Sequence, residues 1–590
     1  MLKLALIENL RRLADEMLSA RHARRAADEH LARIDADPAQ ASSPLSADAH
    51  RAFVVQLLHR AREYDLRHAH WRTSVEEYLV DRGTTAEEVV RGEHQRQAAS
   101  QASIANAITS LRLCATMDWR KHVEAVSLVE QALRQDPAGV HIRSDFLSRD
   151  RLRQAVEELA TRSGQAQVRV ALKAVESARQ AAEIGTPIDR AAHVGHHLVG
   201  LGRPDLEADL AFHPPWAGRV QRAVLAHPTA ALLGPIVLLT LALLAGGLWY
   251  VRDAGIATQV LALLLLAIPA SEVVIALVQR IVTTTVRPRR LPRLDLSEGV
   301  PEEARTMVVV PTMLTSVEGV TALLEHLEVV ALGNMDPQIH FAILSDFVDA
   351  ETPTLEADAV ILAAARAGIE ALDARFAADE GSRFFLFHRD RQWNAHERAW
   401  IGWERKRGKL EEFNRLLRGD ATTSFSTQVG QLHLLPGVRY CLTLDSDTRL
   451  PRDAARTLIG IITHPLNRAH VDPLLKRVTE GYGILQPRVS VTMASAAGSL
   501  FARAYAGHTG VDPYTTAVSD VYQDLFGEGI FTGKGLYDVD AFLAALEDRV
   551  PENALLSHDL FEGLHARTAL VTDVEVVDDY PSSVLAHARR

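Results

Sequence analysis

Two uninterrupted apolar runs, TAALLGPIVLLTLALLAGGLWYV at 229–251 and IATQVLALLLLAIPASEVVIALVQRIV at 256–282, constrain this chain more than anything else in it. A helix needs about 20 apolar residues to cross a bilayer core, and both runs reach that length. The connector RDAG is so short that the two must form a hairpin. Arg219 and Arg222 precede the first run, and Arg287, Arg289 and Arg290 follow the second. By the positive-inside rule both long flanks are cytoplasmic. Trp249 and Tyr250 then fall at the far interface, where amphipathic rings are favoured. Glu272 lies deep in the second run. A lone carboxylate there must face another helix or stay protonated.

With 590 residues the chain has room for three or four structural units, and its net charge of -11 argues against a nucleic-acid partner. Cys114 and Cys441 each stand alone, so no disulfide framework or thiolate zinc site is legible. Residues 1–205 are rich in Ala, Arg, Leu and Glu at helical spacing, which predicts an all-helical region. Its opening, MLKLALIENLRRLADEM, is an amphipathic helix rather than a signal peptide. It begins mid-pattern with no capping residue, so the chain is expected to start inside a helical domain. His193, His196 and His197 in HVGHHL are expected on a solvated helix surface, because adjacent helical residues diverge and no carboxylate sits at i+4.

The texture changes after a juxtamembrane linker at 283–304. TMVVVPTML, IHFAILSDF, RFFLFHR and RYCLTL read as buried strands, and VEGVTALLEHLEVVAL, LEADAVILAAARAGIEALDARF and KLEEFNRLL as the helices between them. Apolar strands alternating with helices predict an α/β domain over 305–590, with a mostly parallel sheet covered on both faces. Ligands in such sheets sit at the carboxyl ends of the strands. Those ends supply Pro311, Thr312, Ser345, Asp346, Arg389, Asp445 and Asp447.

Two aspartates directly after an apolar strand demand a positive partner. If the segment is extended, Asp445 and Asp447 point the same way and approach one cation together. Oxygen ligands suit Mg²⁺ or Mn²⁺, whose remaining ligands a diphosphate supplies. That combination serves group transfer from a nucleoside diphosphate, with sugar transfer the natural candidate. A general base must then deprotonate the acceptor, and Asp559 in LLSHDLFEG offers itself near a helix N-terminus, although an acid there also serves the helix dipole alone. Between these carboxylates, the glycine-rich GEGIFTGKG lets backbone approach a ligand, and Lys534 within it is placed for a phosphate or an acceptor. LTLDSDT also fits the D-x-D-x-T motif of haloacid dehalogenase-type phosphatases, with Asp578 and Asp579 as the later acidic pair. There, however, the nucleophile stands on an early strand, and here three strand–helix units precede it.

The series VVVPTML, ILSDF, RKRGKLEEFN, TLDSDT, YGILQPRV, FTGKG and LSHDLFEG resembles the catalytic domain of cyclic β-1,2-glucan synthases, glycosyltransferase family 84. The hairpin and the segments ITSLRLCATMDW and VSLVEQALRQDPAGV are similar to the same synthases. The resemblance implies a GT-A-like domain on the cytoplasmic face of the bacterial inner membrane. It would transfer glucose from UDP-glucose to a growing glucan with inversion. It also implies roles: Pro311, Thr312, Asp346, Lys409, Asn414 and Asp445 toward the nucleotide, Asp445 and Asp447 as the D-x-D metal motif, and Asp559 as base. Gln486, with Pro487, lines the site, and Thr532, Gly533 and Lys534 meet the acceptor sugar. Relatives continue into a Q-x-x-R-W motif, further membrane helices and later synthase domains. The chain is therefore expected to be a fragment, truncated at both ends, and an inactive UDP-binding scaffold is the alternative to a live transferase.

Overall fold

The computed structural model describes residues 2–36, 49–63, 69–185, 190–286, 290–376, 383–506, 521–547, 549–555 and 558–589. Arg287 and Arg289 lie outside them. The chain divides into two compact units, Met1–Val126 and Ser127–Arg590. This division falls inside the stretch read from sequence as one helical region.

The first unit contains helices Leu2–Ala36, Arg51–Glu63, Ala69–Val80, Ala86–Thr116 and Trp119–Val126. Apolar residues at helical spacing, among them Ala27, Ile34, Val54, Leu57, Val75 and Leu79, form its core. Thr85 starts the fourth helix with a capping box, its hydroxyl accepting from the Glu88 N–H while the Glu88 carboxylate accepts from the Thr85 N–H.

The second unit opens with short helices around Phe146–Ser163 and Gln167–Ile184, packed on Leu133, Val156, Leu159, Val170, Ala174 and Leu198. Buried carboxylates fix the turns between them. Asp136 accepts from the N–H groups of Val140, His141 and Val194 at 2.9, 3.0 and 2.9 Å, and contacts His193 Nδ1 at 2.8 Å. Glu130 is held by His141 Nε2 at 3.2 Å and Arg153 Nη1 at 2.7 Å. These helices dock on the sheet portion through Asp145 N–H to Arg293 O at 3.0 Å, Leu294 N–H to Gly460 O at 2.9 Å, and an Arg190–Glu480 ion pair at 2.8 Å. His193 is therefore buried rather than solvated, its ring 5.4 Å from that of His464. The covering surface comes from residues far along the chain, which local periodicity does not display. His196 and His197 are half-buried, edge to face at 5.1 Å.

The apolar runs form helices Pro228–Tyr250 and Ile256–Thr285, with peak mean hydropathies of 2.3 and 2.5. Both are long and apolar enough to cross a membrane. They pair closely at Gly247, where a Cβ would lie 2.5 Å from Leu266 Cδ2. Ala270, Val274 and Val278 are buried, the last two in a cluster with Leu232 and with Val521 and Leu525 of the Val521–Phe526 helix, while Leu238, Leu264, Leu265 and Ile268 are exposed. Glu272 is exposed as well, rather than turned onto the partner helix, the first of the two arrangements expected for it.

The sheet has eight strands: β1 Thr306–Leu314, β2 Ile339–Phe347, β3 Phe384–Arg389, β4 Phe425–Val429, β5 Tyr440–Thr443, β6 Ile484–Val491, β7 Gly535–Asp538 and β8 Thr568–Asp578, in the order β8-β6-β7-β5-β1-β2-β3-β4. The four strands and three helices expected between 306 and 443 are present. The sheet is mixed rather than mostly parallel. Pairs β1–β2, β1–β5, β2–β3 and β6–β8 are parallel, whereas β3–β4, β5–β7 and β6–β7 are antiparallel. β7 follows the glycine-rich loop and runs back between β5 and β6, so the two parallel halves meet across an antiparallel strand. One core layer packs on each face, around Val308, Val310, Phe341 and Leu442 on one side and Val309, Phe385, Phe413 and Cys441 on the other.

Burial would raise the pKa of Glu130, but His141, Arg153 and Arg134 outweigh it and hold the carboxyl at about 2, against an ordinary 4.5. A depressed carboxylate contributes stability that is present above the unfolded pKa and lost as pH falls toward the folded one. Thermal unfolding followed across pH should therefore show Glu130→Gln losing part of the decline between pH 4.5 and about 2 that the unsubstituted chain displays.

Candidate active site

The register of β5 against β7 builds the site. Thr443 pairs with Gly535. Asp445, just past one strand end, and Lys534, just before the other strand start, consequently emerge at one edge. Asp445 Oδ1 lies 2.6 Å from Lys406 Nζ, and its Oδ2 lies 3.1 Å from Lys534 Nζ. Burial raises the Asp445 pKa, but the two ammonium groups overcome it, so the carboxyl sits below its ordinary range. Lys534 also pairs with Asp578, whose other oxygen accepts from Thr448 Oγ1 at 2.7 Å. Burial disfavours the Lys534 charge, yet Asp445 and Asp578 together push its pKa up.

The segment after β5 is not extended. Ser446 and Asp447 form a turn closed by Thr448 N–H to Asp445 O at 3.1 Å. The alternation of a pleated strand does not place Asp447 beside Asp445 here. His326 of the Val317–Gly333 helix senses the Asp447 charge. The donor chemistry nonetheless suits a hard divalent cation: one ionised carboxylate with an exposed face, a second two residues on, and more acidic than basic groups once Asp578 is counted against Lys406 and Lys534.

Lys406 ties this edge to the expected base. Its Nζ donates to Gly533 O at 3.1 Å. Gly533 has φ 76°, and a Cβ there would lie 2.7 Å from Asp559 Oδ1, so only glycine lets the loop and the carboxylate approach this closely. Gln486 of β6, wholly buried, pins the loop from beneath, its Oε1 accepting from Thr532 N–H at 2.9 Å and Thr532 Oγ1 at 3.0 Å. Asp559 stands in the first turn of the His558–Ala566 helix, beside the positive end of its dipole. Asp445, Lys406, Gly533 and Asp559 thus form one continuous surface, with Gln486 and Thr532 as its support.

The other expected nucleotide residues lie deeper. Asp346 directly opposes Arg389 across β2 and β3, and accepts from Arg389 Nε at 2.7 Å and Nη2 at 3.0 Å. Lys409 Nζ lies 2.9 Å from Asp346 Oδ2 and donates to Thr312 O at 2.5 Å. Burial pushes Lys409 down to about 8, against the pull of Asp346. Asn414 is wholly buried and accepts from Tyr537 OH at 2.9 Å, and Pro311 is buried within β1. Asp346, Arg389, Lys409 and Asn414 therefore form a sealed polar layer behind the rim, and only Thr312 of the nearby set is half-exposed.

Sequence reasoning passed over Lys406, His558 and Glu562. Lys406 precedes Lys409 by one helical turn in RKRGK, and His558 with Glu562 makes an i,i+4 pair, a spacing that places both on one helix face. Removing one partner of a buried ion pair strands the other. Arg389→Met leaves Asp346 with Lys409 alone and should cost about 3–5 kcal/mol in equilibrium denaturation.

No family model matches the chain. It is 42% identical, over an alignment of 596 residues and 98% of its own length, to the cyclic beta-(1,2)-glucan synthase NdvB of Rhizobium meliloti (strain 1021). It spans 21% of that protein, about one fifth. The chain is accordingly a relative of the cyclic β-(1,2)-glucan synthases, matching one segment of such a protein almost from end to end.

Proposed function

We propose that this chain is the glucosyltransferase part of a cyclic β-1,2-glucan synthase, with UDP-glucose as donor and a growing glucan as acceptor. The observation that supports the reading is the bridge from Asp445 through Lys406 to Gly533 and Asp559, which brings the two lysines a diphosphate would need near a carboxylate suited to act as base. A mixed sheet with acidic residues past the end of an inner strand suits a GT-A-like domain. Asp445 and Asp447 would hold Mg²⁺ or Mn²⁺, which when bound neutralises charge on the leaving diphosphate.

The chain's own residues carry the remaining work. Lys406 and Lys534 turn from Asp445 toward the phosphate oxygens and stabilise the departing UDP. Asp559 accepts the proton of the acceptor hydroxyl as that oxygen attacks the anomeric carbon from the face opposite the leaving group. A single attack of this kind inverts the centre. Gly533 lets the loop pack directly against Asp559, and Gln486 keeps the loop from drifting.

The paired apolar helices are read as membrane spans, since their outward faces are apolar over bilayer length. Trp249 and Tyr250, both exposed, sit at the connector end, and Arg219, Arg222 and Arg290 at the other. Both flanks then lie in the cytoplasm, where nucleotide sugars are available.

Calorimetry should find UDP bound in the presence of Mg²⁺ and no measurable binding to Asp447→Ala; equal affinity in the two would refute the metal–diphosphate reading. Asp559→Asn should keep UDP affinity within about twofold while UDP-glucose turnover falls by at least 100-fold, on the order of a lost general base. UDP binding without any turnover in the unsubstituted chain would favour the scaffold alternative.

A further inference from the structure

Behind Asp559 stands a pair of side chains that the transfer reading leaves without a task. His558 Nδ1 lies 3.0 Å from Glu562 Oε1 and 3.4 Å from Asp559 Oδ1, so one nitrogen faces two carboxylates. Glu562 is 3% exposed, and its Oε2 is buried without a hydrogen-bond partner among the described residues, as is Asp559 Oδ1. A buried glutamate is costly unless a proton or a positive charge accompanies it. We propose that His558 and Glu562 are positioning residues for Asp559: the imidazole, hydrogen-bonded through Nδ1 to Glu562 Oε1, keeps that edge of its ring 3.4 Å from Asp559 Oδ1 and by this ion-pair contact holds the carboxylate against Gly533.

This rests on Asp559 being the base of the proposed transfer. In that step the acceptor hydroxyl gives its proton to Asp559, its oxygen bonds the anomeric carbon, and the bond from that carbon to the phosphate oxygen breaks with its electron pair leaving on UDP. A carboxylate free to rotate would lose alignment with the acceptor, and the neighbouring imidazole opposes that rotation. Groups facing the cluster come from three elements: Asp559 and Glu562 from its own helix, Lys406 and Arg407 from the Arg405–Leu417 helix, and Tyr537 from β7. Burial lowers the His558 pKa and Lys406 opposes its charge, yet Glu562 and Asp559 together raise it above the ordinary histidine value. Burial likewise pushes Glu562 up, so the pair holds its proton tightly.

The test is histidine-selective ¹³C NMR on the full chain in nanodiscs, with His558→Gln identifying the resonance. The structure predicts that His558 titrates above about 6.5 and that Asp559→Asn and Glu562→Gln each lower that value by at least half a unit. In UDP-glucose turnover, His558→Gln should reduce kcat at least tenfold and alter the pH profile while UDP affinity stays unchanged, and Glu562→Asp should restore part of what Glu562→Gln loses. A His558 that titrates at or below 6.5 and ignores both substitutions would overturn the proposal, as would an unaltered pH profile in His558→Gln. Broadening of the His558 resonance by Mn²⁺ in an Asp445→Asn/Asp447→Asn background would overturn it too, by showing these three groups to be metal ligands. Loss of UDP binding and turnover in the unsubstituted chain would sink the transferase reading instead, while the NMR coupling would still report on the cluster.

Discussion

Everything at the sheet edge is arranged around the charge of Asp445. A carboxylate at the end of a buried strand is tolerated only with positive partners, and here the two nearest are ammonium groups from distant parts of the chain. Lys406 comes from the helix after β3, and Lys534 from the loop before β7. The ion pairs therefore fasten three segments that carry the proposed donor, acceptor and base contacts. Asp578 at the end of β8 extends the network to the sheet's outermost strand and returns to the Asp445 turn through Thr448. Both lysines are donors on long stems, and the proposed transfer would draw on the same charges that hold the resting site together.

Beneath this mobile layer lies a rigid one. Arg389 engages Asp346 in a fork on neighbouring strands, and Lys409 closes the remaining side against the backbone of Thr312. Gln486 uses its amide in the same manner on the loop, whereas Asn414 accepts from Tyr537 and leaves its amide nitrogen without a hydrogen bond among the described residues. Engaged buried polar groups favour one arrangement, since alternatives leave more donors or acceptors unmet. The division of labour is between groups locked below the rim and groups exchangeable at it.

The parts legible in the sequence were those governed by local pattern. Continuous apolar strands gave β1, β2, β3 and β5, uninterrupted hydrophobicity gave the hairpin, and the aspartates and glycines marked the edge where the site lies. What escaped depended on pairing between distant residues. β7 is four residues long and offers no alternation to read, so its antiparallel insertion next to β5 was invisible, and with it the meeting of Lys534 and Asp445. His193 looked like a surface residue because the side chains that cover it, Asp136 and His464, lie 57 and 271 positions away. Asp346 was recognisable at a strand end and Lys409 only through the resemblance, and nothing in their spacing revealed that they pair with one another.

The most direct test of the central claim is a structure of the chain with UDP and Mn²⁺, the metal located by its anomalous signal. The account predicts a metal peak against Asp445 and Asp447, with the Nζ of Lys406 or Lys534 withdrawn from Asp445 onto a phosphate oxygen and Asp559 facing the open side of the site. Mn²⁺ or UDP bound elsewhere, with both lysines still seated on Asp445, would contradict it.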